Sequence, residues 1–497
     1  MHEIPRSQEG VHFTVDSSST SYGLPTVAYK KSNVTLNSTN DYDVVVVGAG
    51  YTGLIAARNV SRSGKRVLLV EGRDRIGGRT WTVDLWGNKF EMGGEWVHWA
   101  QPNVWAELTD YGLTKPDDFL QTSGSAEPEF CSMSMPNSEG SKEYSTSFLD
   151  KASLVQSLDR TTKAFFDVDG QGGATIFPFP YTPLANLEAI EKYDSLTVGD
   201  RINQLSGFTK EELDFLFSNL VVFGNIPPME AGFLNILHYY ALAGYDWDRL
   251  MQASDRYKLK IGHSGFANLV FADIAGDAVF SDPIKAVTHQ PGSVVTTLQS
   301  GATIRSKHVI CTLPLHCLSE VDFQPPLPTP FSKVRHPNFG GKVHIHVDAK
   351  IPAWCGFADS DAPVDALLTD RYSSREGTYL AGFPGGNPWR QGRNVVGDPS
   401  EFLQATFKSC YPSKWSGKPT DMLWHDWNTD PFSRGQWGAW GAGQISTSFK
   451  SLTEAAYVSR EIVLANADWA HGWTGFVDGA VEEGKRAASQ VLSYLKG

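Results

Sequence analysis

Cysteine, long apolar runs and excess positive charge are all scarce in this chain of 497 residues. Its five cysteines are scattered with no C-x-x-C spacing, which argues against a disulfide framework or a zinc site and predicts a reducing compartment. No apolar run reaches the roughly 18 residues of a membrane span, so we expect none. Acidic residues (55) outnumber basic ones (43), and the net charge of -12 argues against nucleic acid as a partner.

Targeting signals are also lacking. Residues 1–6 have neither the charged nor the apolar region of a secretory signal, and the chain does not end in the peroxisomal Ser-Lys-Leu. We therefore expect a cytoplasmic location. Hydrophobic residues make up 41% of the chain, and its length favours two domains over one.

The most informative segment is a valine run, residues 44–47, that leads directly into Gly48-Ala-Gly-Tyr-Thr-Gly53. An unbroken valine run is typical of a parallel strand buried on both faces. Gly48 permits a tight turn, and Gly50 lets the backbone approach a pyrophosphate. Gly53 lets the next helix pack close to the strand, so that the N-terminal amides of the helix point at the phosphates.

A second apolar strand over residues 65–70 ends at Glu71, whose carboxylate is placed to accept hydrogen bonds from ribose hydroxyls. A glycine motif alone is weak evidence, because glycine-rich turns are common. Strand, glycines, helix, strand and terminal acid in this order form a specific pattern. The sequence therefore predicts a dinucleotide-binding domain.

The next segments carry two further motifs, Glu71-Gly-Arg-Asp-Arg-Ile-Gly-Gly-Arg79 and Met92-Gly-Gly-Glu-Trp-Val-His-Trp99. The guanidinium groups of Arg73 and Arg79 suit phosphate oxygens. Together these segments resemble the flavin-dependent amine oxidase family, whose members carry E-x-R-D-R-x-G-G-R and then G-G-x-W. The C-terminal residues 464–484 are typical of a strand, a turn with several glycines and a helix that begins near Phe476. With Asn466-Ala-Asp-Trp469, they resemble the closing motif of that family. The motifs look closest to the soluble fungal monoamine oxidases.

The resemblance implies FAD as the cofactor. It is expected to be non-covalent, because Gln436 stands where membrane-bound mammalian relatives carry the cysteine that links to the flavin. Cofactor-binding residues carried over from the family motifs are Gly48, Gly50, Thr52, Gly53, Glu71, Arg73, Gly78, Arg79, Gly94, Glu95, Trp96, Ile284, Asp468, Phe476 and Val477. A plain loop or helix-cap aspartate is the alternative for Asp468.

The implied fold is α/β: a Rossmann-like FAD-binding domain of the GR2 type, intergrown with an α+β substrate-binding domain. Residues 1–40, rich in Ser, Thr and Asn, are expected to form an N-terminal extension, either mobile or lying over the surface as an arm. The FAD-binding domain is expected to comprise residues 41–115, 265–325 and 430–497. The substrate-binding domain then comprises residues 116–264 and 326–429.

Three residues are predicted to be catalytic from the resemblance: Lys342, Trp437 and Phe476. Lys342 opens an alternating strand, and the matching lysine of the family holds a water against the reactive flavin nitrogen. The alternative is a lysine at a solvent-exposed sheet edge. Trp437 and Phe476 match the two aromatic side chains that flank the amine, with Trp440 as a competitor for the first position. No metal is expected, because neither a carboxylate nor a third histidine lies at ligand spacing from His344 and His346.

Predicted substrate-binding residues are His98, Tyr239, Leu242, Tyr245 and Trp437, and His98 is equally compatible with a structural role. No arginine lies near Gly94 or within residues 238–245, which favours an amine over an amino acid. The expected activity is FAD-dependent oxidation of an amine to an imine, with dioxygen reduced to hydrogen peroxide. Alternatives are an oxidase of a secondary or tertiary alkaloid-like amine, or a dehydrogenase using another acceptor. A homodimer is possible.

Overall fold

A computed structural model describes residues 4–36, 41–126, 128–133, 135–137, 140–142, 151–358, 362–370, 376–385, 396–413, 415–456 and 460–496. Two eight-stranded sheets dominate the architecture. One carries the glycine motif, and we call it the cofactor sheet. The other carries the strand that follows Lys342, and we call it the substrate sheet. The predicted α/β class with a Rossmann-like half is confirmed.

The cofactor sheet is parallel at its centre, where the valine run Asp41–Val47 lies between Val67–Val70 and Thr303–Cys311. Residues 44–47 and 67–70 are buried on both faces, as their continuous apolar sequences predict, whereas Thr303–Cys311 is continuously buried only over its last three residues. The carboxyl ends of parallel strands meet at one edge, where doubly wound folds bind ligands. Across the sheet the order is Asp277–Val279, Val67–Val70, Asp41–Val47, Thr303–Cys311, Ser293–Leu298, Ile284–Gln290 and Asp322–Gln324, with Ile462–Leu464 paired to Thr303–Cys311.

The substrate sheet is antiparallel except at one end, where Phe130–Met133 runs parallel to Trp354–Phe357. The strand after Lys342, Val343–Val347, lies in the interior of the sheet and is buried on both faces. The order is Ser19–Tyr22, Val11–Thr14, Pro419–Trp424, Val343–Val347, Thr378–Pro384, Val364–Asp370, Trp354–Phe357 and Phe130–Met133. Smaller antiparallel pairs are Thr82–Leu85 with Asn88–Glu91, Phe119–Gln121 with Tyr257–Leu259, and Met135–Asn137 with Gly140–Lys142.

The described part of the N-terminal segment, residues 4–36, contains two strands. Its strands Val11–Thr14 and Ser19–Tyr22 form a hairpin that extends the substrate sheet beyond Pro419–Trp424. The outer strand is fully exposed, which is why its Ser and Thr residues gave no apolar alternation to detect. Further anchoring comes from Ser7, whose hydroxyl donates to Asp74 at 2.6 Å. Residues 4–36 thus lie against the rest of the molecule, and the boundary of the extension at residue 40 stays a prediction.

The first and last long helices, Tyr51–Arg62 and Val477–Tyr494, pack closely against each other. A Cβ on Gly484 would lie 2.6 Å from the carbonyl oxygen of Thr52, so this crossing requires glycine. The remaining α-helices are Pro102–Asp110, Ser123–Ala126, Lys151–Phe166, Leu187–Tyr193, Val198–Asn203, Lys210–Val221, Phe233–Leu242, Trp247–Met251, Gly262–Ala272, Thr329–Lys333, Pro399–Ser409 and Lys450–Ala456. Among the helices that the structure describes, none has both the length and the apolar character required to cross a bilayer.

Candidate active site

One large cavity of about 1090 Å³ is lined by residues of both sheets. Val47 and Val70 reach it from the carboxyl ends of cofactor-sheet strands, and Leu368 and Phe383 reach it from the substrate sheet. The two halves of the fold thus meet at a single pocket, which is where the sequence motifs converge.

The glycine motif forms a flat, side-chain-free wall of this cavity. Gly48 adopts a φ of +99°, in the left-handed region that favours glycine. A Cβ on Gly53 would lie 1.8 Å from the carbonyl oxygen of Gly48, so Gly53 serves helix–strand packing and does not line the cavity. Gly50 and Gly78 do line it, and a Cβ on Gly78 would approach the Cα of Gly50 to 3.0 Å.

Two helix N-termini open at the cavity without side-chain caps. The residues at the two N-cap positions are Gly50, before Tyr51–Arg62, and Phe476, before Val477–Tyr494, and neither side chain accepts a hydrogen bond from the helix. The acid in the first turn of the second helix, Asp478, accepts instead from the backbone N–H of Val104 at 2.8 Å. Uncapped amides and the positive end of each helix dipole therefore suit anionic or carbonyl groups of a ligand.

The acid at the end of the second strand is held firmly. The Glu71 carboxylate accepts from the backbone N–H of Ala49 at 2.6 Å and from that of Arg73 at 2.8 Å. Burial raises the pKa of Glu71 above its ordinary value. The charge of Arg73 and the hydrogen bonds from these amides lower the pKa, but by less. Each oxygen keeps a lone pair, so Glu71 can still accept hydrogen bonds from a ligand hydroxyl at the cavity wall.

Arg73 lines the cavity with its guanidinium held from behind. Its Nη1 pairs with Glu9 and lies 2.6 Å from Asp430 Oδ2, while its Nη2 is buried without a hydrogen-bond partner among the described residues. Glu9 also binds Arg75 at 2.6 Å. Glu9, His425 and Asp430 have the spacing of a metal site, but the two guanidinium groups already neutralise the two carboxylates.

Arg79 joins the two ends of the chain. Its Nη2 lies 2.7 Å from the carboxylate of Asp468, and its Nη1 donates to the carbonyl oxygen of Gln436 at 2.6 Å. The other Asp468 oxygen accepts from the backbone N–H of Leu315 at 2.9 Å. Burial raises the pKa of Asp468, but the Arg79 charge outweighs it and the pKa is lowered overall. Asp468 thus holds Arg79 at the wall without lining the cavity itself.

Lys342 is buried at the cavity wall, with 4% of its surface exposed, so the alternative of a solvent-edge lysine is wrong. Its Nζ donates to Glu95 Oε2 at 2.5 Å and to the carbonyl oxygen of Gly93 at 2.8 Å. The same ammonium lies 4.4 Å from the ring centre of Trp96. Pairing and a cation–π contact offset the cost of burying this charge.

The two predicted aromatic residues, Trp437 and Phe476, both line the cavity. The Trp437 indole N–H donates to the carbonyl oxygen of Phe223 at 3.0 Å, which fixes the ring. Its competitor Trp440 is 2% exposed, packs on His336 and does not line this cavity. The structure therefore favours Trp437 over Trp440 as the residue that faces a ligand.

The predicted site residues divide into two groups. Those that line the cavity are Gly48, Gly50, Thr52, Glu71, Arg73, Gly78, Arg79, Gly94, Glu95, Trp96, Tyr245, Ile284, Lys342, Trp437, Phe476 and Val477. Those that do not are Gly53, His98, Tyr239, Leu242 and Asp468. His98 is fully buried against Trp99, and Tyr239 donates to the carbonyl oxygen of Thr474. Neither residue therefore reaches the cavity in this structure, and their roles as substrate contacts stay predictions.

Several cavity residues gave no signal in the sequence: Cys131, Asn219, Phe223, Arg256, Cys355, Phe357, Leu368 and Phe383. Apolar ones on strands buried on both faces are indistinguishable in sequence from core residues. The sequence analysis found no arginine near Gly94 or within residues 238–245. The fold nevertheless brings Arg256 to the cavity wall from outside both segments. Arg256 donates to the carbonyl oxygen of Ala126 at 3.1 Å.

A glycine-lined wall with two uncapped helix ends, beside a buried lysine and two aromatic rings, is the arrangement expected of an enzyme that binds a nucleotide cofactor. A model of the flavin-containing amine oxidoreductase family matches residues 51–492. The chain therefore belongs to that family and is a flavin-dependent amine oxidoreductase.

Among curated proteins, pseudooxynicotine dehydrogenase from a Pseudomonas species is 31% identical over 93% of this chain and 88% of its own length. Nicotine dehydrogenase from Pseudomonas putida is 30% identical over 92% of this chain and 89% of its own length. The solved structure of wild-type putrescine oxidase bound to putrescine superposes with a TM-score of 0.71 at 20% identity, over 91% of this chain and 99% of that one. The expected closeness to the fungal branch stays a prediction.

Proposed function

We propose that this protein oxidises a small-molecule amine at the carbon next to nitrogen, giving an imine that hydrolyses to an aldehyde or ketone. Non-covalently bound FAD would accept the hydride and pass the electrons to dioxygen, yielding hydrogen peroxide. The observation that carries the proposal is the meeting of Lys342, Trp437 and Phe476 with the glycine cradle on one cavity.

The residues present fit FAD along the whole cavity. Gly50 and Gly78 provide a wall without side chains, and the buried Nη2 of Arg73 has no partner among the described residues. Glu71 keeps accepting capacity for ribose hydroxyls. Gln436 supports a non-covalent complex, because an amide cannot form the thioether that a cysteine forms at the matching position of membrane-bound relatives.

Around the amine, the chain acts mainly by positioning and by excluding water. Trp437 and Phe476 are rigid, partly buried rings that would flank the nitrogen and orient its neighbouring carbon. Phe383 and Leu368 extend the apolar wall on the substrate-sheet side. A dry apolar wall favours the neutral amine, which is the form that can lose hydride.

Lys342 would serve the electron-transfer half of the reaction. An ammonium uses up to three donors, and two of them bind Glu95 and Gly93. The third has no partner among the residues that the structure describes, and it would bind a water or an oxygen species in the cavity. A fixed positive charge stabilises negative charge that develops during the reduction of dioxygen.

A second candidate, oxidation coupled to an acceptor other than dioxygen, is favoured by one observation. The two curated relatives at 30% and 31% identity are both named dehydrogenases. Their names also refer to nicotine and a nicotine derivative, and nicotine contains a tertiary amine. A secondary or tertiary alkaloid-like amine is therefore the substrate class to test first.

Anaerobic mixing of the FAD-loaded protein with a panel of amines tests the proposal. Bleaching of the flavin by an amine, with the matching carbonyl as product, is expected, and no bleaching by any amine class would overturn it. Admission of air then separates the two acceptors. Rapid recovery of colour with stoichiometric peroxide supports the oxidase, whereas recovery only with an added one-electron acceptor supports the dehydrogenase.

Substitution of the lysine isolates its role. Lys342→Met should slow flavin reoxidation by dioxygen about 10-fold or more, because a charge that stabilises the reduction of oxygen is lost. Anaerobic reduction by the amine should change far less. An unchanged reoxidation rate would contradict the role given to Lys342.

A further inference from the structure

The carboxylate next to Lys342 is shared with a second buried lysine. Glu95 Oε2 binds Lys342 at 2.5 Å, and Glu95 Oε1 lies 3.2 Å from the Nζ of Lys258. All three side chains are at most 5% exposed. Only Glu95 and Lys342 line the cavity, so Lys258 lies behind them.

A second carboxylate completes the group. The ammonium of Lys258 also pairs with Asp370, whose side chain is 1% exposed. Two lysines and two carboxylates thus form a balanced, buried chain in the order Lys342, Glu95, Lys258, Asp370, which we call the charge chain. Its members come from four separate segments that lie far apart in the sequence.

Stability alone does not explain why the charge chain includes Lys258 and Asp370, which form its inner half. Glu95 and Lys342 would already form a neutral pair, and a further buried ion pair adds little net stability because desolvation offsets its attraction. Geometry offers a reason instead. Lys258 engages the carboxylate oxygen that faces away from Lys342, and the backbone of Lys258 bridges to that of Trp96, the residue after Glu95.

The electrostatics agree with this geometry. Burial raises the pKa of Glu95, but the charges of Lys342 and Lys258 outweigh it and lower the pKa to about 2. Burial lowers the pKa of Lys258, but Asp370 and Glu95 outweigh it and raise the value overall. Glu95 and Lys258 therefore keep their charges across the neutral range.

We propose that Lys258, anchored by Asp370, is a positioning residue for Lys342. By holding the far oxygen of Glu95, Lys258 fixes the carboxylate, and the carboxylate fixes the Lys342 ammonium with one donor left for the cavity. The proposal rests on the role given above to Lys342.

The test removes the inner ion pair, Lys258 with Asp370, as a unit, since Lys258→Met alone leaves the Asp370 carboxylate buried without this partner and destabilises the fold. The double variant Lys258→Met/Asp370→Asn keeps both members of the outer pair. It should bind FAD with an affinity within about 3-fold of the parent and be reduced by amine within about 3-fold. Its reoxidation by dioxygen should be slowed at least 5-fold. Lys258→Arg, which keeps the charge, should restore most of the rate.

A structural role would predict a different pattern, which two further readouts distinguish. The midpoint potential of the bound flavin should shift in the double variant in the same direction as in Lys342→Met. Adding Lys342→Met to the double variant should slow reoxidation no further than Lys342→Met alone, since residues that act through one group are not additive. The inference would be overturned if the combined variant slowed reoxidation by the product of the two separate factors. It would also be overturned if the midpoint potential of the flavin in the double variant equalled that of the parent.

The same experiment separates failure of the inference from failure of the proposed function. If Lys342→Met reoxidises at the parental rate, the role of Lys342 is wrong and the inference falls with it. If Lys342→Met is slow while Lys258→Met/Asp370→Asn matches the parent, the proposed function stands and only the positioning role of Lys258 is refuted.

Discussion

The carboxylate of Glu9 lies 2.6 Å from Nε of Arg75, a contact that ties the N-terminal segment to the cofactor-binding half of the molecule. Glu9 also pairs with Arg73, which lines the cavity. A residue that precedes the dinucleotide fold by more than thirty positions therefore helps to hold an arginine of the cofactor site. The first prediction follows from this contact.

Glu9→Gln should weaken FAD binding and destabilise the fold by on the order of 2–4 kcal/mol, because two buried guanidinium groups lose a charged partner. Equilibrium titration with FAD and thermal melting would measure both effects. Glu188→Gln, at an exposed position with no such contacts, is the matched control and should change neither. Parental FAD affinity in Glu9→Gln would show that the N-terminal arm is dispensable for the site.

Gly78→Ala should lower the affinity for FAD by more than the backbone strain of an alanine at this position would by itself. Its φ is +61°, so alanine costs roughly 1–2 kcal/mol, and the added Cβ also intrudes on Gly50 at the cradle. Gly170→Ala is a strict control, because φ is +75° there but no atom lies within 4 Å of the added Cβ. Equal FAD affinities in the two variants would argue against a cradle at Gly78.

Trp437→Ala should raise KM and slow anaerobic flavin reduction about 10-fold or more, since the amine loses an orienting ring. Trp440→Phe is the control, because Trp440 packs in the core three residues away and does not reach the cavity. We expect it to lower the melting temperature while leaving the reduction rate near the parental value. Stopped-flow absorbance measures the reduction rate of both variants. The reverse pattern would mean that Trp440, and not Trp437, faces the amine.

Glu91 gives a pH-dependent prediction. Burial raises the pKa of Glu91 to about 8 from an ordinary value of 4.5, against hydrogen bonds from His263 and Thr82. A carboxyl with a raised folded pKa favours folding while it is protonated, and that contribution is lost as pH rises from 4.5 to about 8. Glutamine does not titrate, so the free energy of unfolding of Glu91→Gln should not show this decrease with rising pH.

The stability of Glu91→Gln relative to the parent should therefore increase between pH 5 and pH 8 by on the order of 3 kcal/mol. Denaturant unfolding across that pH range is the measurement, with Glu188→Gln as a control that should track the parent. A constant difference between Glu91→Gln and the parent would mean that Glu91 does not titrate in this window.

The sequence was sufficient to predict the cofactor half of the fold. The valine run, the spacing of Gly48, Gly50 and Gly53, and the acid at Glu71 form a local pattern whose backbone requirements are unique to one type of turn. The helix at the C-terminal end was equally predictable, and the structure has it begin at Val477, directly after Phe476.

Other features depend on contacts that no local pattern encodes. The Glu95–Lys258 contact joins residues from separate segments, and only the folded sheets bring them within 3.2 Å. Leu368 and Phe383 lie on strands that are buried on both faces, so the sequence could not show which face points toward the cavity. For His98 the sequence left a substrate contact and a structural role equally open, and the fold buries the residue away from the cavity.

The central claim is that residues from both ends of this chain hold FAD between them without a covalent bond. The most direct measurement is the absorbance spectrum of the purified protein after incubation with FAD and removal of the excess, followed by acid denaturation. The account predicts a yellow protein with equimolar FAD, all of which is released into the supernatant on denaturation. A protein that stays colourless after incubation would contradict the claim, and flavin that remains attached to the precipitate would contradict its non-covalent part.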